Sequence, residues 1–189
     1  MRPLRCGILT SVAGEGGRIH TIGHGNRTFD ELVDALRAHG IAQLVDVRSF
    51  PGSRRNPQFG RETLARTLPA NGIAYVWMKE LGGRRRSRPD SPNTGWRVEG
   101  FRAYADYMDT PEFATALDEL VRSARATPTA YMCAERLWWQ CHRRLISDAL
   151  TVRGIEVLHI LDANKADPHK LTEFLRVENG RLAYPARDP

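Results

Sequence analysis

The segment YMCAERLWWQCHRR, residues 131–144, concentrates reactive side chains in a short stretch of chain. It contains two cysteines, one glutamate, one histidine and three arginines beside two tryptophans. A thiolate can act as a nucleophile or a metal ligand, while a carboxylate or an imidazole can move protons. These properties make four residues of the segment candidate catalytic groups: Cys133, Glu135, Cys141 and His142.

Cys133 is the candidate nucleophile. A strand pattern ends at this residue and a helical pattern follows, so the thiol would lie near the positive end of the helix dipole. Arg136 and His142 add positive charge, and together these effects would lower the pKa of the thiol from about 8.5 toward neutrality. The alternative is an inert thiol packed in the core, since cysteine is among the residues most often buried. The sequence leaves both interpretations open.

Cys141 and His142 also have two interpretations each. Cys141 is spaced by three and four residues from Trp138 and Leu145, which predicts that it packs on the apolar side of a helix. The alternative makes it a resolving thiol or a metal ligand that acts together with Cys133. His142 would lie at the edge of the same helix, as an orienting group or as a solvated side chain.

A zinc site built from Cys133, Glu135, Cys141 and His142 is chemically possible, because thiolate, imidazole and carboxylate are all zinc ligands. The spacing is not that of a zinc finger, and adjacent residues on a helix point about 100° apart. We therefore predict no metal ligand here and leave the cofactor unknown. Anion-cradling cysteine loops, as in cysteine phosphatases and rhodanese-like sulfurtransferases, normally contain glycine, and residues 134–140 contain none.

Glu135 and His24 are candidate proton-transfer groups. Glu135 ends a predicted strand and could be a general acid or base if burial raises its pKa, or could pair with Arg48 or Arg136. His24 lies between two glycines. Glycines there allow a ligand to approach the backbone closely, although they also form ordinary tight turns.

Five apolar segments predict strands, and they alternate with segments of helical spacing. Thr28 and Glu31 form a capping box for the first helix. The alternation predicts an α/β fold with a mainly parallel five-stranded sheet flanked by helices in three layers. The predicted strands are residues 19–25, 43–49, 73–78, 129–135 and 156–162. The predicted helices are residues 28–39, 61–71, 100–109, 111–126, the stretch from the fourth strand to Gly154, and 168–178.

Polar side chains follow the predicted strands at their carboxyl ends. In a parallel sheet these ends share one edge, where ligands bind. Four unlinked segments would therefore meet at one mouth. The residues that they bring there are His24, Asn26, Asp46, Arg48, Cys133, Glu135, Asp162 and Asn164.

The net charge of +6 is concentrated in the middle of the chain. Residues 48–102 contain twelve Lys or Arg against four acidic residues, so the rest of the chain is net acidic. Such a field attracts phosphates and other anions. The irregular segment 79–99 is too long for a simple connector, which predicts a functional flap or a mobile segment. The candidate substrate-binding residues are Asn26, Asp46, Arg48, Arg54, Arg55 and Arg143.

A length of 189 residues favours one α/β domain at residues 19–180, with a poorly ordered extension at 1–18 and a tail at 181–189. The apolar stretch at residues 4–13 is interrupted by polar residues and cannot span a bilayer. Three cysteines without framework spacing fit reduced thiols. We therefore expect a cytoplasmic protein with no membrane partner, and its oligomeric state stays open.

Four blocks of the sequence together resemble the bacterial family named domain of unknown function 488. They are TIGHGN at residues 21–26, DVRSFPGSRRNPQF at 46–59, GIAY at 72–75 with LGG at 81–83, and CAERLWWQCHR at 133–143. The resemblance runs from about residue 19 to residue 162 and implies a polar mouth made from these blocks, but no reaction. The matching positions are His24, Asp46, Arg48, Arg54, Arg55, Cys133, Glu135, Cys141, His142 and Arg143.

Our leading hypothesis from the sequence is a cysteine-dependent transferase or hydrolase that acts on an anionic substrate bearing phosphate, such as a nucleotide or nucleic acid. Cys133 would be the thiolate, and Glu135 and His142 would move protons or orient the substrate. The alternative is a noncatalytic nucleic-acid-binding module that uses the basic loops 48–66 and 79–102. Trp77 and Trp96 in those loops supply the rings on which bases could stack.

Overall fold

The computed structural model describes residues 17–52 and 55–186. Within these ranges the helices are α1 (Phe29–Ala38), α2 (Arg61–Ala70), α3 (Glu99–Met108), α4 (Pro111–Ala126) and α5 (Arg143–Val152). The strands are β1 (Arg18–Gly23), β2 (Gln43–Asp46), β3 (Ala74–Trp77), β4 (Thr129–Cys133), β5 (Glu156–Asp162), β6 (Lys165–Pro168), β7 (Arg176–Glu178) and β8 (Arg181–Ala183). Single turns of 3-10 helix occur at Pro57–Phe59, Lys79–Leu81 and Trp138–Gln140.

The main sheet has six strands in the order β3-β2-β4-β1-β5-β6. All neighbours are parallel except β6, which runs antiparallel to β5. The α/β fold with a mainly parallel sheet is therefore confirmed, and β6 extends the five predicted strands by one. In the register, Gly23 lies opposite Cys133 and Asp46 lies opposite Met132, so the carboxyl ends of β1, β2 and β4 meet at one edge.

Helices cover both faces of this sheet, as the three-layer prediction requires. On one face, α1 and α2 bury Leu32, Leu36, Leu64 and Leu68. On the other face, α3, α4 and α5 bury a second core that includes Cys133. Because successive side chains of a strand alternate between faces, Tyr131 and Cys133 share the second core while Ala130 and Met132 belong to the first.

The predicted helix at residues 168–178 is wrong. Residues 165–168 form β6 against β5, and residues 176–178 and 181–183 form a separate antiparallel hairpin. The intervening loop is drawn onto α5 by Asp148, whose carboxylate accepts hydrogen bonds from both the backbone N–H (2.9 Å) and the hydroxyl (2.7 Å) of Thr172. These two bonds replace the bonds that a helix would have made, so a tertiary contact overrides the local pattern.

The chain remains packed beyond residue 180, where the sequence predicts a tail. Tyr184 is fully buried against Trp96 and Phe174. Its backbone N–H donates to the side chain of Asn93, which lies in the long segment predicted as a flap or mobile segment. Asn93 also donates to the buried carboxylate of Asp106 in α3. This part of the segment is therefore fixed by hydrogen bonds to α3 and to the chain beyond residue 180.

The helix that follows β4 begins at Arg143, later than predicted. Residues 134–142, here called the cysteine loop, run from β4 to α5 and contain a single 3-10 turn. Trp138 lies on the ring of His159, with the two ring centroids 4.0 Å apart and the planes nearly parallel. Cys141 has extended backbone angles, φ −131° and ψ 149°, so it does not lie on a helix. The predicted helical packing of Cys141 is wrong, although the thiol is buried as expected.

The predicted extension at residues 1–18 lies outside the described residues up to residue 16, and Arg54 also lies outside them. None of the helices within residues 17–52 and 55–186 combines the length and apolar character that crossing a membrane requires.

Candidate functional site: a buried cluster of two thiols and an imidazole

Cys133, Cys141 and His142 converge at the carboxyl edge of the sheet, and we call them the Cys-Cys-His cluster. His142 Nδ1 lies 3.8 Å from the sulfur of Cys133 and 3.5 Å from the sulfur of Cys141. All three atoms lie within 4.8 Å of one another. β4 contributes the first thiol, and the end of the cysteine loop contributes the other two groups. The residue types in the sequence pointed to these three side chains. The helix predicted over Cys141 and His142 would have separated those two side chains.

A backbone carbonyl sets the orientation of the imidazole. His142 Nε2 lies 3.1 Å from the oxygen of Val47, which follows β2. A carbonyl oxygen only accepts hydrogen bonds, so Nε2 carries the proton and donates it. In the neutral ring, Nδ1 therefore presents its lone pair to the two sulfurs. The ring of Tyr104 packs beside the imidazole with a centroid distance of 5.1 Å.

Gly83 lies close to the imidazole ring of the cluster. A Cβ atom at this position would lie 2.5 Å from Nδ1 and 2.8 Å from Cγ of His142, closer than side chains tolerate. Glycine therefore lets the backbone cross the ring on the same side as Nδ1. At the neighbouring Gly82, a Cβ would lie 2.5 Å from the hydroxyl oxygen of Ser49, which accepts from the backbone N–H of Arg84. The pair of glycines seen in the sequence thus has a steric purpose.

Arg143 lies beneath the cysteine loop and is 1 % exposed. One terminal nitrogen donates to the hydroxyl of Thr21 at 3.0 Å, and the other donates to the carbonyl oxygens of Glu135 at 2.5 Å and Arg136 at 3.4 Å. Within the described part of the chain, its Nε is buried without a hydrogen-bond partner. These bonds pin the loop to β1, so the predicted substrate-binding arginine lies where it supports the loop.

The ionisation of each thiol depends on the other thiol. The hydrogen bond to Cys141, followed by burial, raises the pKa of Cys133 well above its ordinary value. Burial acts to raise the pKa of Cys141 as well, but the hydrogen bond from Cys133, the imidazole of His142 and the charge of Arg143 bring it well below its ordinary value. The two thiols therefore affect each other's ionisation in opposite directions, so that one sulfur of the pair ionises more readily than the other.

Asp46, Arg48 and His24 form a buried chain beside the cluster. Arg48 binds the Asp46 carboxylate through Nε at 2.8 Å and a terminal nitrogen at 2.5 Å, and it also donates to the carbonyl of Phe59. Its other terminal nitrogen lies 3.2 Å from His24 Nε2. Because a guanidinium only donates, His24 accepts this bond while its Nδ1 donates to the carbonyl of Gly25. Burial lowers the pKa of His24 to about 4, so the ring is neutral near pH 7.

Asp46, Arg48 and His24 together fix the backbone segment that carries Val47. Asp46 also accepts a hydrogen bond from Tyr75 at 2.8 Å, and its carboxylate holds the backbone N–H of Arg48 at 3.1 Å. The three residues predicted for catalysis or substrate binding thus satisfy one another. Their described contacts fix the segment that presents the Val47 carbonyl to His142.

The remaining predicted residues that lie within residues 17–52 and 55–186 have exposed side chains. Glu135 contributes its backbone, since its carbonyl binds Arg143 and its N–H lowers the pKa of Cys133 by a hydrogen bond. A Cβ at Gly23 would lie 1.9 Å from that same carbonyl oxygen, so glycine in β1 lets the cysteine loop descend onto the sheet. The side chains of Asn26 and Arg55 are exposed.

Sequence reasoning missed the Val47 carbonyl, the Gly83 contact and Tyr104. A backbone carbonyl has no residue signature, so nothing in the sequence indicates Val47. The double glycine at 82–83 was a usable signal, because adjacent glycines in a segment without regular structure suggest a close backbone approach.

Comparison with protein families supplies one match. The family model described as Domain of unknown function DUF488 matches residues 28–150, about two thirds of the chain. The chain belongs to this family. The DUF488 match includes the Val47 segment, Gly83 and the whole Cys-Cys-His cluster, while His24 precedes it. Searches among curated proteins and among solved structures find no match.

Proposed function

We propose that the protein is an enzyme that uses the thiolate of the Cys-Cys-His cluster to attack an anionic substrate at the carboxyl edge of the sheet. The observation that supports this most directly is the convergence of two thiols and an imidazole lone pair, within 4.8 Å of one another, where β1, β2 and β4 end. Ligands commonly bind at that edge of parallel sheets.

The cluster contains the parts that thiolate chemistry needs. The thiolate forms a bond from sulfur to the electrophilic atom of the substrate, and the leaving group departs with its electron pair. The proton of the second thiol neutralises that group, and Nδ1 of His142 relays it, since this atom lies within 3.8 Å of both sulfurs. Arg143 supplies a positive charge that favours the thiolate.

The rim of the site supports an anionic substrate. Arg84 is exposed and follows Gly83, where any Cβ atom would collide with the His142 ring. Arg136 is exposed on the cysteine loop itself, and its side chain packs beside Gly25. These two arginines, unlike Arg48 and Arg143, belong to segments at the surface. Arg84 belongs to the basic segment 48–102, and Arg136 adds a further positive charge from the cysteine loop.

Alkylation mapped by mass spectrometry tests the thiolate. Freshly reduced protein is treated with iodoacetamide across a pH series in the presence of a chelator, and Cys133→Ser and Cys141→Ser are compared with Cys6→Ser, which keeps the pair. We expect one sulfur of the pair to react well below pH 8.5 in the wild type and in Cys6→Ser. We expect this low-pH reaction to disappear when either partner is replaced. Reaction of both thiols only at high pH would contradict the proposal.

Binding of single-stranded nucleic acid without catalysis is a second candidate function. It is favoured by Phe50, which is 65 % exposed with the guanidinium of Arg84 over its ring, and by Trp139, which is 44 % exposed. Cations beside exposed rings suit a phosphate backbone with stacked bases. Fluorescence anisotropy with random oligonucleotides over a salt series discriminates the two. Binding that is lost in Arg84→Ala but kept in Cys133→Ser supports the second candidate.

A further inference from the structure

The distances from the imidazole nitrogen to the two sulfurs of the Cys-Cys-His cluster match those between the ligands of a tetrahedral metal ion. Zinc binds sulfur at about 2.3 Å and imidazole nitrogen at about 2.0–2.1 Å, so a tetrahedral angle places these ligand atoms roughly 3.6 Å apart. His142 Nδ1 lies 3.5 Å and 3.8 Å from the two sulfurs. Two of the three separations are therefore already close to those that the ion would require, and the third lies within 4.8 Å.

The surroundings of the imidazole also suit a metal ligand. Metal-binding histidines characteristically donate their other ring N–H to a carboxylate or a backbone carbonyl, which fixes the ring and its tautomer. His142 does this through its bond to Val47. The free Nδ1 lone pair points at the sulfurs, and Gly83 keeps side-chain atoms away from the same nitrogen. These observations come from β2 and from the 82–83 segment, independently of the thiols.

The sequence disfavours a metal site only if Cys141 and His142 lie on a helix. Adjacent residues on a helix diverge, so Cys141 and His142 could not reach one ion. In the structure Cys141 is extended and His142 precedes the first residue of α5, which removes that obstacle. Glu135, the other predicted ligand, is exposed and is not part of the set.

We propose that the reduced Cys-Cys-His cluster binds one thiophilic divalent cation of the Zn²⁺ class through both sulfurs and Nδ1, and that the bound ion blocks the thiolate reaction. The second half of this proposal rests on the proposed function, whereas the first half does not. The ion forms bonds to two sulfurs and one nitrogen, and each thiol that is still protonated releases its proton to solvent. No electron is transferred. The blocking follows because ion and electrophile compete for the same sulfur lone pairs.

Cobalt is the probe, because Co²⁺ bound by thiolates has an intense sulfur-to-metal charge-transfer band in the near ultraviolet. The reduced full-length protein is titrated with Co²⁺ without oxygen, and Zn²⁺ is then added as competitor. We expect one Co²⁺ per chain, a charge-transfer band of two thiolates, and displacement by Zn²⁺. Cys6→Ser is the matched control and should bind like the wild type.

Two variants test the ligand set. Cys141→Ser and His142→Gln should each weaken Co²⁺ binding by at least about 100-fold, since loss of even an outer-shell partner costs 10- to 100-fold. Circular dichroism establishes that each variant is folded. If a variant is unfolded, protection provides the second measurement: Zn²⁺ should shield Cys133 and Cys141 of the wild type from iodoacetamide. Full affinity in a folded variant, or no shielding of the pair, overturns the metal site.

The two proposals fail in different ways. Absence of the charge-transfer band, together with alkylation of the pair well below pH 8.5, refutes the metal site and keeps the thiolate enzyme. Tight Co²⁺ binding by thiols that, once freed of metal, react only at high pH refutes the thiolate enzyme and keeps the metal site. Alkylation at the same rate with Zn²⁺ bound refutes the blocking.

Discussion

The geometry of the Cys-Cys-His cluster depends on uncharged groups of other residues. Residue types alone identified Cys133, Cys141 and His142, because thiols and imidazoles have recognisable chemistry. Their geometry comes from the Val47 carbonyl and from the missing side chain of Gly83. The sequence could not reveal that Arg48 is occupied by Asp46 and His24, since that depends on which groups become buried together.

Gly83→Ala is expected to displace His142. A Cβ would lie 2.5 Å from Nδ1, so the ring must move and the distances to both sulfurs must change. We expect the low-pH alkylation rate of the pair to fall about tenfold or more, in line with the loss of an orienting contact. The matched control is Gly100→Ala in α3, where a Cβ would meet nothing within 4 Å. The control should stabilise the helix by about 0.5–1 kcal/mol, and identical rates in the two variants would contradict the steric argument.

Arg143→Lys is expected to destabilise the protein while keeping the charge. An ammonium group cannot reach the Thr21 hydroxyl and the Glu135 and Arg136 carbonyls together, so buried acceptors lose their donors. Losing hydrogen bonds from a charged group costs about 1.5–3 kcal/mol each. We expect the free energy of unfolding in urea to fall by about 2 kcal/mol or more. Arg136→Lys, an exposed neighbour, should change it by less than about 0.5 kcal/mol, and equal effects would refute the pinning of the loop.

At the scale of elements, the sequence predicted correctly those features whose hydrogen bonds are made within a single helix or strand. Thr28 and Glu31 make the predicted capping box, with reciprocal bonds of 3.1 Å and 2.7 Å. Local signals failed in the cysteine loop and at residues 168–178, because contacts with distant residues decide both. Trp138 lies on His159 instead of continuing a helix, and Thr172 bonds to Asp148.

The elements around β5 predict a pH dependence of stability. Burial, His169 and Arg143 lower the pKa of His159 to about 2, while Asp148 accepts from His169 on the far side. Below about pH 6.5 the unfolded chain binds a proton at this histidine and the folded chain does not. Stability from His159 is therefore complete above pH 6.5 and declines as pH falls, by at most about 1.4 kcal/mol per pH unit.

Urea unfolding at pH 7 and pH 5 checks this prediction. We expect the wild type to be less stable at pH 5 by up to about 2 kcal/mol for each such histidine. His24, whose pKa is about 4, adds to the effect in the same direction. His159→Asn should be less stable at pH 7 and should show a smaller difference between the two pH values. Equal stability of the wild type at both pH values would contradict it.

At the scale of the whole molecule, the C-terminal segment belongs to the packed domain. Tyr184 is fully buried, its hydroxyl donates to Asp148 at 3.1 Å, and its backbone N–H binds Asn93. Sequence reasoning placed the boundary at residue 180, because three short polar strands give no strong pattern. The aromatic at 184 is the single signal that the packing continues.

Truncation measures how much this segment contributes. A chain that ends at residue 183 should be less stable than one that ends at residue 186 by more than about 3 kcal/mol, the usual cost of deleting a large buried side chain. The comparison uses urea unfolding of two otherwise identical proteins. Tyr184→Phe in the full chain should cost about 1 kcal/mol, since only the hydroxyl bond is lost. Equal stability of the two truncated chains would show that residues 184–186 contribute nothing.

The groups that orient the cluster come from distant parts of the chain, so they reach it only as the chain folds. β4 supplies one thiol, the segment after β2 supplies the carbonyl, and Gly83 and His142 come from two further segments. In a half-folded chain the Val47 carbonyl and Gly83 are not held against the ring, so the orientation of His142 relative to the two sulfurs is not fixed. The arrangement on which both proposals depend is therefore complete only after the sheet has formed, so folding and the assembly of the cluster are linked.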